Sequence, residues 1–148
     1  MSAPWLQRRA SGDNCGVTDP PDDGAGRVGV LIVDDQAPFR RAARAVVTAT
    51  PGFEVIGEAE SGEEAVALAD DLDPEVVLMD INLPGINGIE ATRQITAAHP
   101  GVVTLLLSTY REEDLPAGTD DCGAVAYVNK EEFGPNILQD HRPPSRTG

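Results

Sequence analysis

Four apolar runs of this sequence each end in a polar or charged residue: Asp34-Asp35, Asp80, Ser108 and Lys130. Three of these side chains are carboxylates. If they converge, their repulsion raises their pKa values, and a hard divalent cation such as Mg²⁺ relieves it. Lysine adds a compact positive charge that suits a phosphate oxygen. Because three carboxylates, one Mg²⁺ and one lysine sum to about neutral, the addition of a phosphoryl group is electrostatically tolerable.

Each residue of this set also has a simpler explanation. An Asp pair often ends a strand and caps a helix, and a lone Asp before a Pro-Gly loop often forms a turn. A Ser hydroxyl often satisfies nearby backbone groups. Lys130 is harder to explain, because it is the only lysine in the chain and all other cationic side chains are Arg. The joint occurrence of these residues, in this order, indicates a functional site.

The apolar runs predict five strands, over residues 28–33, 53–59, 75–79, 102–107 and 124–129. A continuous apolar run such as VGVLIV is typical of a strand buried on both faces. The second run alternates and is expected nearer a sheet edge. Strands that alternate with helices form right-handed βαβ units on a parallel sheet, so we predict a doubly wound α/β fold. Ligands of such sheets bind beyond the carboxyl ends of the strands, where the strand order reverses.

Helix signals lie between and after these strands. Ser61 and Glu64 form a capping box before an amphipathic stretch, and Gly134-Pro135 opens a short last helix. A proline and a glycine interrupt residues 111–121, where the fourth helix of the alternating pattern belongs. That helix is therefore expected to be short or irregular.

The length of 148 residues suits one domain. Residues 1–27 and 142–148 are polar and lack periodicity, so we predict a disordered leader and a loose tail around a domain of residues 28–141. No stretch is long and apolar enough for a signal peptide or a membrane span. Cys15 and Cys122 have no ligand-like spacing, so reduced thiols and a cytoplasmic location are expected.

Acidic residues dominate the predicted domain. The chain has 11 Lys and Arg against 25 Asp and Glu, a net charge of −14, and residues 28–138 account for all of this excess. Such a charge argues against direct binding to nucleic acid or to an anionic membrane. It favours a partner with a basic patch, or a site that gathers carboxylates around a cation.

Over residues 28–138 the sequence resembles the receiver domains of response regulators, the CheY-like family. The resemblance lies in the segments LIVDDQ (31–36), VVLMDINLPGINGIE (76–90), LLLSTY (105–110) and AYVNK (126–130). The segments PGINGIEATRQI and GAVAYVNKEEFGP look closest to the NarL/LuxR branch. The resemblance implies a flavodoxin/CheY-like sheet with strand order 2-1-3-4-5 and a role in two-component signal transduction.

The resemblance also implies a role for each acidic residue. Asp80 is the expected nucleophile, which accepts a phosphoryl group from the phosphohistidine of a sensor histidine kinase or phosphotransfer protein. With Asp80, Asp35 is expected to bind Mg²⁺ directly and Asp34 mostly through water. The backbone carbonyl of Asn82 is expected to be a further ligand. By this resemblance transfer rests on positioning and charge neutralisation.

Ser108 and Lys130 are expected to hold phosphate oxygens. Tyr127 stands in the place of the family's switch aromatic, which turns inward as the hydroxyl residue moves toward the phosphate. Glu131 follows the lysine where relatives usually have proline, and a cis bond without proline costs about 3–4 kcal/mol. The implied protein is a phosphoacceptor that assists its own phosphoryl transfer and hydrolysis, not a separate enzyme. Its downstream protein target is unidentified, and a homodimer is compatible with the sequence.

Alternative functions stay open. Only ten residues follow Leu138, too few for the helix-turn-helix domain usual in the NarL/LuxR branch. The sequence is then expected to be a stand-alone receiver or a fragment of a longer DNA-binding regulator. A phosphorylation-independent interaction module would be expected to lose site residues. An aspartate-nucleophile phosphatase would have an acid in place of Asn82, and a nucleotide-binding oxidoreductase would have a glycine-rich turn after the first strand.

Overall fold

The computed structural model describes residues 27–109, 115–116, 118–119 and 121–143. Five parallel strands form one sheet: β1 Val28–Val33, β2 Phe53–Ala59, β3 Val76–Asp80, β4 Val103–Ser108 and β5 Ala126–Asn129. Their spatial order is β2-β1-β3-β4-β5, which confirms the predicted order 2-1-3-4-5. The alternating second strand is an edge strand, as its pattern predicted.

Within the described ranges, four α-helices cover the sheet: α1 Ala37–Ala49, α2 Gly62–Leu72, α3 Gly88–Ala98 and α4 Pro135–Asp140. The predicted cap of α2 is confirmed, because the Ser61 hydroxyl accepts a hydrogen bond from the backbone N–H of Glu64 at 3.1 Å. Asn87 caps α3 in the same way, through the N–H of Glu90 at 2.9 Å. None of these helices is both long and apolar enough to cross a bilayer.

The segment predicted to carry an irregular fourth helix is only partly described. Residues 110–114, 117 and 120 lie outside the described part of the chain, and the neighbouring positions that are described are not helical. The predicted leader falls outside it too, except for Arg27, and so does the predicted tail from residue 144 onward. The span Val28–Pro143 forms one compact unit, and the exact domain boundaries stay a prediction.

Two apolar clusters lie on opposite faces of the sheet. On one face Leu31 and Val33 of β1 pack with buried residues of α2 and α3. On the other face Val30 and Ile32 pack with buried residues of α1 and α4. Because successive strand residues point to opposite faces, a strand covered on both sides must be apolar throughout. This explains why the run VGVLIV has no polar position.

Strand order and register bring the polar strand ends together. β1 lies beside β3 in parallel, with Val33 opposite Met79, so Asp34 emerges next to Asp80. β3 pairs with β4 through Asp80 opposite Leu107, and β4 pairs with β5 through Ser108 opposite Asn129. Asp80 and Ser108 are thus the last residues of their strands, one residue beyond the predicted strand ends. All four polar ends share one edge of the sheet.

Candidate functional site

Asp80 lies at the carboxyl end of the central strand and is almost completely buried, with 4% of its surface exposed. Burial, followed by the negative charge of Asp34, raises the pKa of Asp80 to about 6. The positive charge of Lys130 and a hydrogen bond from the backbone N–H of Asn82 to Oδ1, at 3.3 Å, act in the opposite direction. These two contributions are outweighed, so the environment as a whole favours the protonated form of the Asp80 carboxyl group.

The acidic pair after β1 completes a group of three carboxylates. Asp34 is fully buried, and its Oδ1 accepts a hydrogen bond from the backbone N–H of Gln36 at 2.7 Å. Asp35 is exposed. Asp34, Asp35 and Asp80 each contribute one oxygen to a cluster in which all three oxygens lie within 4.8 Å of one another. The predicted convergence of the three carboxylates is thus present.

Lys130 reaches this cluster from the end of β5, which lies two strands away from β3. It begins the 3₁₀ turn Lys130–Glu132 after β5, which starts with a hydrogen bond from the N–H of Glu131 to the Asn129 side chain at 2.8 Å. Its Nζ lies 2.6 Å from Oδ2 of Asp34 and 3.5 Å from Oδ1 of Asp80. The ammonium therefore bridges the two buried carboxylates, with its shorter contact to Asp34. Every peptide bond in the described ranges is trans, including Lys130–Glu131.

Ser108 and Tyr127 form the third side of the site. Ser108 is buried at the end of β4, and its backbone carbonyl accepts a hydrogen bond from the Tyr127 hydroxyl at 3.2 Å. Burial raises the pKa of Tyr127. The ring of Tyr127 packs against the core cluster beneath α2 and α3. The residue predicted to act as a switch is thus bonded to the backbone of the predicted phosphate-binding serine.

The loop between Asp80 and α3 carries Asn82, which is exposed. Gly88 closes this loop, because its N–H donates to the carbonyl of Ile81 at 2.9 Å. A Cβ at Gly88 would overlap the carbonyl oxygen of Asp80 and lie 2.9 Å from Cα of Ile81. Glycine therefore allows the start of α3 to lie directly on the end of β3. That packing sets where the backbone of Asn82 runs.

Sequence reasoning missed two residues of α1 that contact the site. Arg40 donates from Nη1 to the backbone carbonyl of Asp34 at 2.6 Å, and its Nε lies 3.3 Å from Oε1 of Glu58 on β2. Phe39 presents its ring to Lys130, whose Nζ lies 4.5 Å from the ring centroid. Phe39 and Arg40 follow Asp35 by four and five residues, in the first turn of the helix predicted after the acidic pair. Neither residue type by itself distinguishes a site residue from an ordinary helix residue.

The three carboxylates fit a hard cation. They supply oxygen ligands only, and Asp35 and Asn82 at the open side leave room for water, which Mg²⁺ usually retains. Burial, and after it the negative potential of Asp34, raises the pKa of Asp80. A divalent cation would offset that potential, so the donor set is suitable for magnesium on both chemical and electrostatic grounds.

This chain belongs to the response regulator receiver domain family, whose family model matches residues 30–141. The fold, the strand order and the polar strand ends agree with that membership. The predicted family resemblance is therefore confirmed. The assignment to two-component systems rests on this match, which covers most of the chain.

Individual relatives point to the predicted NarL/LuxR branch. The transcriptional regulatory protein DegU of Brevibacillus brevis is 38% identical over 105 residues, which are 71% of this chain and 44% of DegU. A LuxR-family two-component response regulator from Aurantimonas sp. SI85-9A1 has a crystal structure similar to this chain. The TM-score is 0.69 at 29% identity, over 82% of this chain and 91% of that one.

A second similar structure contains BeF₃ and Mg²⁺. It is the complex of CheX, CheY, BeF₃ and Mg²⁺ from Borrelia burgdorferi, with a TM-score of 0.70 at 28% identity, over 80% of this chain and 88% of that one. The present chain spans less than half the length of the first curated relatives that it matches.

Proposed function

We propose that this chain is a phosphoacceptor module of a two-component pathway, in which Asp80 takes a phosphoryl group from a phosphohistidine. The observation that carries this proposal is the juxtaposition of the buried Asp80 with two further carboxylates and with Lys130. A buried acid at the end of a central strand, faced by an ammonium and by a cation-binding donor set, suits transfer of a dianionic group.

In the proposed transfer, an Asp80 carboxylate oxygen attacks phosphorus while the P–N bond of the phosphohistidine breaks. The bonding electron pair stays on the imidazole nitrogen, and because the other ring nitrogen carries a proton in the reactive form, the histidine leaves as neutral imidazole. The step therefore requires no external oxidant or base. A pKa of about 6 leaves Asp80 mostly ionised, and therefore nucleophilic, at neutral pH. Asp35, Asp80 and the carbonyl of Asn82 would hold Mg²⁺, with Asp34 acting through water. When bound, the ion supplies charge neutralisation at the phosphoryl oxygens.

After transfer, Ser108 and Lys130 are proposed to contact the new phosphoryl oxygens. Lys130 would extend from its position between the two carboxylates toward the phosphate, because a dianion attracts the ammonium more strongly than either carboxylate does. Movement of Ser108 would disturb the hydrogen bond that Tyr127 donates to its carbonyl. Tyr127 is therefore proposed to report the state of Asp80 to a protein target.

The partners follow from the same proposal. A sensor histidine kinase or phosphotransfer protein would supply the phosphoryl group, in the cytoplasm. The relative DegU is named as a transcriptional regulatory protein, and the CheY relative was solved with Mg²⁺ and BeF₃. The name of DegU supports a regulatory role for this chain, and the Mg²⁺ and the partner protein CheX in the CheY complex support a cation site and an output through protein contacts.

Incubation with Mg²⁺ and a small phosphodonor tests the proposal. We expect the intact mass to rise by one phosphoryl group, and the label to be labile to hydroxylamine, as an acyl phosphate is. Asp80→Asn should lose the label while remaining folded. Asp71→Asn, at an exposed position of α2, is the matched control and should label like the unaltered protein. Equal labelling of the Asp80→Asn variant would show that another residue accepts the group.

A folded protein that takes no label from any donor, and that binds a partner regardless of phosphodonor, would instead support the phosphorylation-independent interaction module.

A further inference from the structure

We propose that Glu63, at the start of α2, is a positioning residue for the loop that joins Asp80 to α3. This inference rests on the proposed function, in which the backbone of Asn82 on that loop holds the cation beside Asp80. It assigns a task to an acidic side chain outside the cluster of Asp34, Asp35 and Asp80. The contact joins two parts of the chain 23 residues apart.

The contact itself is a hydrogen bond to the loop backbone. Oε2 of Glu63 accepts from the N–H of Ile86 at 3.1 Å. Both carboxylate oxygens of Glu63 lie 2.5 Å from the position that a Cβ of Gly85 would occupy. Gly85 has φ +73°, which glycine adopts without strain. The carboxylate thus lies in space that is open because residue 85 has no side chain.

A second glycine brings the two backbones together. A Cβ at Gly62, the first residue of α2, would lie 2.6 Å from the backbone carbonyl oxygen of Ile86. The start of α2 and the loop therefore touch at Gly62 as well as at Glu63. Two close approaches, both dependent on glycine, and one hydrogen bond converge on two consecutive loop residues, Gly85 and Ile86. Such convergence indicates that the loop has a fixed position against α2.

This fixed position matters because of what the loop carries. Its C-terminal end is anchored where Gly88 lies against the carbonyl of Asp80, and the N–H of Asn82 bonds to the Asp80 carboxylate. Between these two points, Glu63 of α2 holds the middle of the loop through its hydrogen bond from the N–H of Ile86. Loss of that support widens the range of positions open to the Asn82 carbonyl, and so weakens its contribution to cation binding.

Glu64 is a built-in control for Glu63. It stands in the same first turn of α2, is exposed like Glu63, and carries the same charge near the helix N-terminus. Its carboxylate, however, accepts from the N–H of Glu60, the residue before the N-cap Ser61, at 2.8 Å and does so away from the loop. Removing either glutamate therefore changes the net charge and the helix dipole interaction alike. Only removal of Glu63 releases the loop.

The experiment compares Glu63→Ala, Glu63→Gln and Glu64→Ala with the unaltered protein. The rate of labelling by a small phosphodonor is measured over a range of Mg²⁺ concentrations. We expect Glu63→Ala to raise the half-saturating Mg²⁺ concentration by about 10-fold, the low end for loss of an outer hydrogen-bond partner of a metal site. Glu63→Gln keeps an acceptor oxygen and should recover most of the affinity. Glu64→Ala should lower thermal stability without changing the Mg²⁺ dependence.

Hydrogen exchange of the Ile86 amide, measured without metal or donor, is a readout independent of labelling. It should accelerate in Glu63→Ala and not in Glu64→Ala. One outcome is that the unaltered protein labels while Glu63→Ala and Glu64→Ala have the same half-saturating Mg²⁺ concentration and the same Ile86 exchange rate. That result would show that Glu63 has no positioning role. A second outcome is that the unaltered protein takes no label while Ile86 exchange still depends on Glu63. The proposed function then fails and the inference fails with it, although the hydrogen bond between Glu63 and Ile86 is confirmed.

Discussion

The carboxyl group of Asp80 lies in an environment that favours its neutral form. Its pKa rises from 3.8 to about 6, chiefly because burial removes water from the charge and secondly because Asp34 is negative. An acid whose folded-state pKa is raised stabilises the fold fully below the unfolded pKa, and this contribution is lost as the pH rises through the folded pKa. The ionised Asp80 therefore destabilises the metal-free protein at neutral pH, in the form that the proposed chemistry needs.

Asp80→Asn should for this reason stabilise the metal-free protein at neutral pH. Asn keeps an acceptor for the N–H of Asn82, and Lys130 keeps Asp34 as a partner. The rise of the pKa from 3.8 to about 6 corresponds to about 3 kcal/mol, which is an upper bound on the gain. Urea unfolding without metal should show the difference at about pH 8, and it should vanish near pH 4. A difference that is the same at both pH values would contradict this assignment of cause.

Asp35→Asn should also raise stability in metal-free buffer, but by less. Asp35 is exposed, so relief of its repulsion with Asp34 and Asp80 is screened by water and amounts to at most about 1 kcal/mol. Glu54→Gln removes one negative charge from an exposed position of β2, and controls for the general benefit of a lower net charge. Thermal melts with and without Mg²⁺ are the measurement. Without Mg²⁺, the melting temperature of Asp35→Asn should rise by more than that of Glu54→Gln. With Mg²⁺, Asp35→Asn should melt at a lower temperature than the unaltered protein.

At the scale of elements, the close contact between β3 and α3 decides the geometry of the phosphoacceptor loop. Gly88→Ala places a methyl group against the Asp80 carbonyl, where rigid backbone lies on both sides. We expect a loss of about 1–3 kcal/mol in the free energy of unfolding, together with slower labelling, because α3 must move away from Asp80. Gly101→Ala, with nothing within 4 Å of its Cβ, should change neither quantity measurably in urea unfolding and labelling assays.

At the scale of the whole molecule, the sheet needs a cover on each face. α4 contributes Leu138, which is 1% exposed, and Ile137 packs on the same cluster as α1. Deletion of residues 135–148 should therefore lower the free energy of unfolding by at least about 1.5–3 kcal/mol, the value of one buried aliphatic side chain. Deletion of residues 1–27 should leave the melting temperature unchanged, because their composition offers little to bury. If both deletions lower stability equally, the domain begins before residue 28 and the predicted boundary is wrong.

The sequence by itself determined the layered fold and the members of the acidic cluster. Continuous apolar runs such as VGVLIV require cover on both faces, and that requirement forces helices onto both sides of a parallel sheet. Once the order of such a sheet is known, residues directly after the strands must share one edge. Asp34, Asp80, Ser108 and Lys130 could therefore be grouped before any distance was known, since their positions depend on backbone register alone.

Only the tertiary structure decided which atoms touch. Lys130 lies closer to Asp34 than to Asp80, Arg40 holds the backbone of Asp34, and Glu63 rather than Glu64 reaches the loop. These choices depend on side-chain rotamers and on close backbone approaches allowed by single glycines such as Gly88. Contacts of this kind join residues far apart in sequence, and a difference of one helical position changes the partner. No local pattern encodes that difference, because it arises only when the elements are packed together.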